Sequence, residues 1–123
     1  MKILLILAGV AVPAAIAADA RAETDVFRKC SACHSVAEPV NRVGPHLSGV
    51  VGRPAAAVED YAGYSKAMKE AGAQGVVWDE TTLSAYLAAP KTMIPKTRMA
   101  FSGLKSQQEI ADVIAYLKAN GSR

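Results

Sequence analysis

Apolar and polar positions recur with a helical period in several parts of the chain. Near the start, Val26, Phe27 and Cys30 lie three and four residues apart, so they share one face of a predicted helix over 24–33. The neighbouring positions on the other face are polar or charged. This pattern indicates a short helix with one side turned towards a core.

The final helix has the strongest sequence signature. Ser106 and Glu109 have the spacing of a capping box, which predicts where the helix begins. Asn120-Gly121 follows Lys118 and is typical of a helix end. Between these signals an apolar stripe recurs at helical spacing: Ile110, Val113, Ile114 and Leu117.

Two shorter helices are predicted between these ends. One covers 65–71 and is expected to stop at Gly72, and the other begins at an Asp79 N-cap and runs to Leu87, with Pro90 closing it. The segments 38–54 and 91–103 contain the prolines and glycines of loops. Because no β-α-β alternation occurs, the predicted class is all-α, with about four to five helices. Such long loops in a small domain need something to pack on.

The first residues have the pattern of an export signal. A single lysine precedes an uncharged apolar run that ends in small residues, and we favour cleavage after Ala17, with a site after Ala20 as the other possibility. The competing interpretation is a retained anchor, but the run contains Pro13 and is shorter than the ~20 apolar residues that span a bilayer. We therefore expect a signal peptide at 1–17, a mature domain at 18–123, no membrane span after cleavage, and export to the periplasm of a Gram-negative bacterium.

Length and charge narrow the class further. The chain has 123 residues, which suits one domain, and its formal net charge of +3 is mild. A nucleic-acid-binding surface would need a denser lysine and arginine face, so no nucleic-acid partner is expected. With two Phe and one Trp, the apolar core is modest, and a buried cofactor would enlarge it.

Cys30, Cys33 and His34 form a C-x-x-C-H pattern that uses both cysteines of the chain. This spacing is typical of covalent haem attachment, because two thiols reach the haem vinyl groups and the next imidazole reaches the iron. A redox dithiol of the thioredoxin type would need a β-α-β scaffold, which the sequence lacks. A zinc site that adds His46 has suitable ligand types, but the adjacent Cys33 and His34 would struggle to reach one tetrahedral metal.

The opposite axial position of the iron remains open on spacing alone. His46 could fill it, as could Met68, Met93 or Met99. Met99 has a modest lead because its side chain, in a loop, can turn inwards without helical constraint. Buried methionines more often serve as core filler than as ligands.

The motifs together resemble the class I cytochromes c, specifically the bacterial soluble proteins that are close to the mitochondrial type. The resemblance covers about 26–118, and its stretches occur in the order of that family. They are Val-Phe-Arg-Lys-Cys-Ser-Ala-Cys-His at 26–34, Asn-Arg-Val-Gly-Pro at 41–45, Gly-Arg at 52–53, Tyr-Ser at 64–65 with Trp78, Leu-Ser-Ala-Tyr-Leu at 83–87 with Pro-Lys at 90–91, Ile-Pro at 94–95 with Thr97, Met-Ala-Phe at 99–101, and Ile-Ala-Asp-Val-Ile-Ala-Tyr-Leu-Lys at 110–118.

The resemblance implies a site as well as a fold: loops wrapped around one haem c, attached through Cys30 and Cys33. It implies that His34 and Met99 ligate the iron and that the Pro45 carbonyl accepts a hydrogen bond from His34. Tyr86 is implied near the Met99 sulfur, although plain core packing is the alternative for it. The residues implied near the haem propionates are Arg53, Tyr64, Trp78 and Thr97.

Two positions depart from the family pattern. Met68 stands where the mitochondrial type has an asparagine near the haem, which removes a polar group from the internal network. His46 stands where an asparagine is common, and we expect it at the surface, too close to the Pro45 turn to reach the opposite haem face.

The implied function is one-electron transfer, not enzymatic catalysis. A soluble, monomeric carrier would shuttle electrons between a quinol-oxidising complex or dehydrogenase and a terminal oxidase or photosynthetic reaction centre. Its partners would present acidic docking surfaces to a basic ring around the haem edge. The alternatives are a dedicated haem subunit of one periplasmic dehydrogenase and an open-site ligand-binding or peroxidatic haem protein. The residues expected in the ring are Arg28, Lys29, Lys91, Lys96 and Arg98.

Overall fold

The computed structural model describes residues 4–10 and 15–121. Within these ranges the regular structure is helical, apart from one isolated antiparallel bridge between Pro54 and Val77. The all-α prediction is therefore confirmed. The helices, in chain order, are α1 (Ala15–Ser31), α2 (Lys66–Ala73), α3 (Glu80–Ala88), α4 (Pro90–Met93) and α5 (Gln107–Asn120).

Helix α1 is longer than predicted at its start and slightly shorter at its end. Its buried face carries Val26 and Phe27, which are 7% and 6% exposed, as the spacing indicated. After Ser31 the chain tightens into a turn, in which the backbone N–H groups of Cys33 and His34 both donate to the Cys30 carbonyl at 3.0 Å. This turn places the C-x-x-C-H residues at the end of a rigid element.

The three longer helices that follow α1 begin where the sequence predicts. Each has a side-chain oxygen that accepts a hydrogen bond from a backbone N–H in its first turn, which satisfies a donor that the helix itself cannot. The accepting side chains are Ser65 at 3.0 Å in front of α2, Asp79 at 2.7 Å in front of α3 and Ser106 at 3.0 Å in front of α5.

Two helix ends differ from the prediction. Helix α2 continues through Gly72 to Ala73 instead of stopping there. A Cβ at Gly72 would lie 2.2 Å from the Ala55 carbonyl oxygen, so the glycine allows α2 to approach the preceding loop. Pro90 does more than close α3: it occupies the first turn of α4, where its missing N–H costs nothing.

The first and last helices pack against each other. The rings of Phe27 and Tyr116 stack with centroids 4.4 Å apart, and Lys29 Nζ pairs with Glu109 Oε1 at 2.9 Å. On its inner side α5 buries the predicted apolar stripe: Ile110, Val113, Ile114 and Leu117. This helix pair and α3 form one side of a cavity that the loops complete.

The predicted signal segment, 1–17, lies partly outside the described residues. Of its described part, Leu4, Leu5, Ile6 and Leu7 are 82–92% exposed, and the predicted cleavage point after Ala17 falls in the first turn of α1. In the described ranges no helix is both long and apolar enough to cross a membrane.

Candidate haem-binding site

One cavity brings together every residue that the sequence assigned to the haem. It has a volume of about 520 Å³, within the range of cofactor pockets, and its walls are mostly apolar. Helices α1, α3 and α5 contribute part of its wall, and the loops before α2 and α5 contribute most of the rest. The sequence-assigned residues that line it are Cys30, Cys33, His34, Pro45, Arg53, Tyr64, Trp78, Tyr86, Thr97 and Met99.

The two cysteines stand at one edge of this cavity as free thiols. Cys30 is half-buried and Cys33 is exposed, so the attachment edge of a bound group would face solvent. Burial is the largest cause that raises the pKa of the Cys30 thiol, followed by the neighbouring Cys33, while Lys29 lowers it. Both sulfurs belong to the same turn as His34, which fits a group held by two thioethers and one imidazole.

The His34 ring is oriented by its backbone surroundings. The Nδ1–H donates to the Pro45 carbonyl at 2.7 Å, which leaves Nε2 free to bind a metal. Burial lowers the pKa of His34, the bond to Pro45 opposes this, and Arg53 adds to the lowering. A neutral imidazole, the form that ligates metals, is therefore favoured.

Gly44 allows this arrangement of the His34 ring. A Cβ at Gly44 would lie 2.3 Å from His34 Cε1 and 2.8 Å from Nδ1. Its N–H also donates to the Cys33 carbonyl at 2.8 Å, so the loop is fixed directly against the attachment turn. The Gly-Pro pair thus has a steric role in the site besides forming a turn.

A second part of the cavity lining, here called the Met99 wall, is an irregular segment between α4 and α5 that contains Met99. The hydroxyls of Tyr86 and Thr97 share a hydrogen bond at 2.7 Å, and burial raises the pKa of Tyr86. Thr97 N donates to the Ile94 carbonyl at 3.1 Å, which closes a turn with Lys96 at φ +65°. Met99 and His34 thus line the same cavity.

The polar end of the cavity is built around Arg53. One of its terminal N–H groups donates to the His46 carbonyl at 3.0 Å, whereas Arg53 Nε is buried and has no hydrogen-bond partner. An unpaired buried cationic donor is costly unless an anion reaches it. The two carboxylates of a haem would supply such an anion, so the cavity fits the cofactor at both its thiol edge and its polar end.

Tyr64 and Trp78 adjoin Arg53. The Tyr64 hydroxyl accepts a hydrogen bond from the Val58 backbone N–H at 3.2 Å. The backbone N–H of Trp78 donates to the Arg53 carbonyl at 2.9 Å. The Trp78 ring lies 4.9 Å from that of Tyr86 at a 45° tilt. Both aromatic side chains are also core residues, so the site and the core are continuous here.

His46 does not line the cavity, which agrees with the expectation, although its ring is only partly at the surface. The residue is only partly exposed, and its Nδ1 is buried without a partner. Its backbone N–H donates to the Asn41 side chain at 3.0 Å, while Arg53 lies against its carbonyl. Burial lowers the pKa of His46, Arg53 lowers it further and Asp60 opposes them.

Two lining residues, Tyr61 and Gly63 of the segment before α2, carried no signal in the sequence. Phe101, which belongs to the Met-Ala-Phe stretch of the resemblance, contributes to the wall from the segment after Met99. Met68 is buried and also lines the cavity, in place of the polar side chain expected there. No periodicity marks loop residues, so only their aromatic character could have suggested them.

The zinc alternative has no structural support. Among residues 4–10 and 15–121, no group of three or more His, Cys, Asp or Glu side chains could hold a metal ion. The attachment turn therefore fits a haem better than a tetrahedral metal.

Comparisons with known proteins agree with this geometry. The family model for cytochrome c matches residues 20–120. The chain is 50% identical to a cytochrome c2 of Afifella marina, over 76% of this chain and 75% of that protein. It is 41% identical to a cytochrome c2 of Blastochloris viridis, over 98% of this chain and 94% of that protein.

A solved structure is similar as well. Cytochrome cH from Methylobacterium extorquens is 41% identical, with a TM-score of 0.72, over 82% of this chain and 98% of that one. The chain therefore belongs to the cytochrome c family: it is a class I cytochrome c, an electron carrier with one covalent haem c attached through Cys30 and Cys33.

Proposed function

We propose that this cytochrome carries single electrons in the periplasm, between a quinol-oxidising complex or dehydrogenase and an oxidase or reaction centre, with His34 and Met99 as its iron ligands. The observation that carries the proposal is that an imidazole and a thioether both line one mostly apolar cavity. The haem supplies the redox chemistry, and the chain binds it, orients it and excludes water from it.

The surroundings of the two ligands favour the reduced state. A thioether ligand raises the potential compared with ligand sets that lack it. The apolar walls, which include Leu83, Leu87 and Val113, disfavour an additional positive charge in the cavity. If His34 and Met99 both held the iron of a bound haem, no position would remain for a substrate, which supports a carrier and not an enzyme.

The ligand proposal is tested by the absorption spectrum of the haem-loaded protein. The ferric parent should show the charge-transfer band of an iron–methionine bond, and Met99→Ala should lose it. Met93→Ala is the matched control, because Met93 packs on the core from α4 and does not line the cavity. Loss of the band in the control, or its retention in Met99→Ala, would contradict the assignment.

Three of the five cations that the sequence placed in the docking ring have partners within the chain. Arg28 pairs with Asp25 at 3.7 Å, Lys29 pairs with Glu109 at 2.9 Å and Arg98 donates to the Gly63 carbonyl at 3.2 Å. Lys91 is exposed on α4, and Lys96 is exposed on the segment that carries Met99. We propose that these two lysines supply most of the attraction to an acidic partner surface.

A charge reversal tests the docking proposal. Lys91→Glu with Lys96→Glu should slow electron transfer to the partner at low salt and flatten its salt dependence, because long-range steering is screened by ions. Lys66→Glu with Lys69→Glu, at two exposed positions on α2, changes the net charge by the same amount and is the control for net charge alone. Equal rates for parent and double variant would contradict the proposal.

The export proposal has its own test. We infer cleavage after Ala17, because small residues end the apolar run at that point. The intact mass of protein purified from the periplasm distinguishes this site from one after Ala20 and from an uncleaved chain.

A further inference from the structure

Residues 58–64 form a short segment, here called the strap, that lines the cavity and is hydrogen-bonded both to the loop before Pro45 and to Arg98. Val58 is buried at its start, and the Tyr64 hydroxyl accepts from Val58 N at 3.2 Å, so the segment closes on itself. Tyr61, Gly63 and Tyr64 line the cavity from this segment. The strap is therefore part of the cavity wall.

Two hydrogen bonds join the strap to the loop on the His34 side. The Tyr61 hydroxyl donates to the Val43 carbonyl at 2.7 Å, and Asn41 Nδ2 donates to Asp60 Oδ1 at 3.0 Å. Val43 precedes Gly44-Pro45, the pair that orients the His34 ring. The strap is thus attached directly to the support of the proximal imidazole.

A third bond joins the strap to the Met99 side. Arg98 Nη1 donates to the Gly63 carbonyl at 3.2 Å, and Arg98 is the residue next to Met99. This contact links two segments that are 35 residues apart in the chain. The Met99 segment is irregular, so this link, in addition to the bond between Thr97 and Tyr86 of α3, restricts how far it can swing from the cavity.

The Tyr61 ring is held in place by close packing. It lies edge-on to Tyr64, with centroids 4.9 Å apart and planes at 83°. It also crosses Gly63 so closely that a Cβ there would lie 2.3 Å from the Tyr61 hydroxyl oxygen. A ring fixed on two sides directs its hydroxyl to one acceptor, and this makes the bond to Val43 a specific link.

We propose that Tyr61 is a positioning residue, which, through the strap, holds the Met99 wall against the His34 wall and so limits how often Met99 leaves the iron. This inference rests on the proposed ligation by Met99. It gives Arg98 a structural role, in contrast to the docking role that its charge suggested. The strap does not touch the iron: it acts through the Val43 and Gly63 carbonyls.

The experiment uses the haem-loaded ferric protein and cyanide, a small ligand that binds iron only after Met99 has left it. Tyr61→Phe removes one hydroxyl and keeps the ring, so folding should be preserved. We expect cyanide binding to be faster by about fivefold, the scale of one lost hydrogen bond, and amide exchange at 58–64 to be faster as well. Tyr116→Phe, whose ring stacks on Phe27 away from the strap, should change neither.

A second variant tests the same link from the other side. Asn41→Asp keeps an oxygen for the His46 N–H but places a carboxylate against Asp60, so it should also accelerate cyanide binding. Unchanged cyanide rates in both variants, with the iron–methionine band present in the parent, would overturn the role of the strap and leave the proposed function intact. A parent without that band would overturn the Met99 assignment, and this inference with it.

Discussion

The two walls of the haem cavity are built in opposite ways. The His34 wall depends on neighbours in sequence: a helix end, the turn after Ser31, and a loop whose Pro45 carbonyl accepts from the ring at 2.7 Å. The Met99 wall depends on distant segments, because Thr97 bonds to Tyr86 of α3 and Arg98 bonds to Gly63 of the strap. One wall is specified by a short motif, and the other only by the completed fold.

This difference predicts where each wall is vulnerable. On the His34 side, side chains fill the space closely, so steric changes should have the largest effects. On the Met99 side, single hydrogen bonds and one turn hold an irregular segment, so removing one bond should loosen the wall without destroying it. The local motif holds the His34 wall rigidly, whereas the tertiary contacts allow the Met99 segment to leave its position and return to it.

The largest effect is expected for Gly44→Ala. Its Cβ would meet three atoms of the His34 ring within 2.9 Å, and the ring cannot retreat while it is bonded to the Pro45 carbonyl. The free energy of unfolding should fall by about 3 kcal/mol or more, because overpacking without relaxation is costly. Denaturant titration of the holoprotein measures this.

Gly75→Ala is the control for backbone strain alone. Gly75 has φ +91°, and a Cβ at this position would have no atom within 4 Å. The substitution should cost about 1–2 kcal/mol, because alanine is strained in the left-handed region. If both variants lost the same stability, the steric account of the His34 wall would be wrong.

Thr97→Val should have the next largest effect. It removes the partner of the Tyr86 hydroxyl and leaves a buried polar group unpaired, which should lower the free energy of unfolding by about 1–3 kcal/mol. The iron–methionine band should weaken at the same time, because the Met99 segment loses its contact with α3. Ser84→Ala, which removes an exposed hydroxyl bonded within α3, is the control and should leave the band unchanged.

Lys96→Gly should stabilise the protein. Lys96 has φ +65°, in the left-handed region, where a side chain costs about 1–2 kcal/mol and glycine does not. Part of this gain is offset by the greater freedom of glycine in the unfolded chain, so the net gain should be about 1 kcal/mol. Thermal unfolding of Lys96→Ala, which removes the same charge but keeps the strain, should match the parent.

The smallest expected effect concerns pH and His46. Its pKa is lowered in the folded protein by burial and by Arg53, with Asp60 opposing, so the unfolded chain binds more protons near pH 6. Stability should therefore be fully present above the ordinary histidine pKa of 6.5 and decline as the pH falls below it. His46→Asn should reduce this decline in urea titrations. An identical pH profile for parent and variant would show that Nδ1 is not a stability determinant.

Local signals in the sequence predicted local structure well. Asp79 and Ser106 cap helices where expected, because a cap needs only a side chain and the next turn of backbone, whereas Ser65, predicted as the first helical residue, is the N-cap of α2. Helix α4 was missed because a proline that ends one helix can also begin the next. Gly72 lies inside α2 because of a close approach to Ala55, a contact that no local pattern encodes.

The site residues also divide into those that a local pattern predicts and those that it does not. Cys30, Cys33 and His34 could be assigned from one motif, whereas spacing gave Met99 only a small lead over the other methionines. The family resemblance was needed for that choice, because a loop ligand is positioned by tertiary contacts. Tyr61 could not be predicted at all, since its role depends on bonds to a loop 18 residues away in sequence.

The pairing of α1 with α5 has a consequence for how the chain can fold. Lys29 and Glu109 are 80 residues apart, so their contact closes nearly the whole chain into one loop, at an entropic cost of about 4 kcal/mol. Among the described helices, α1 packs on α5, so it has no helical partner until α5 has formed. A polypeptide truncated before Tyr116 would lose the closure of the entire domain, not one peripheral element.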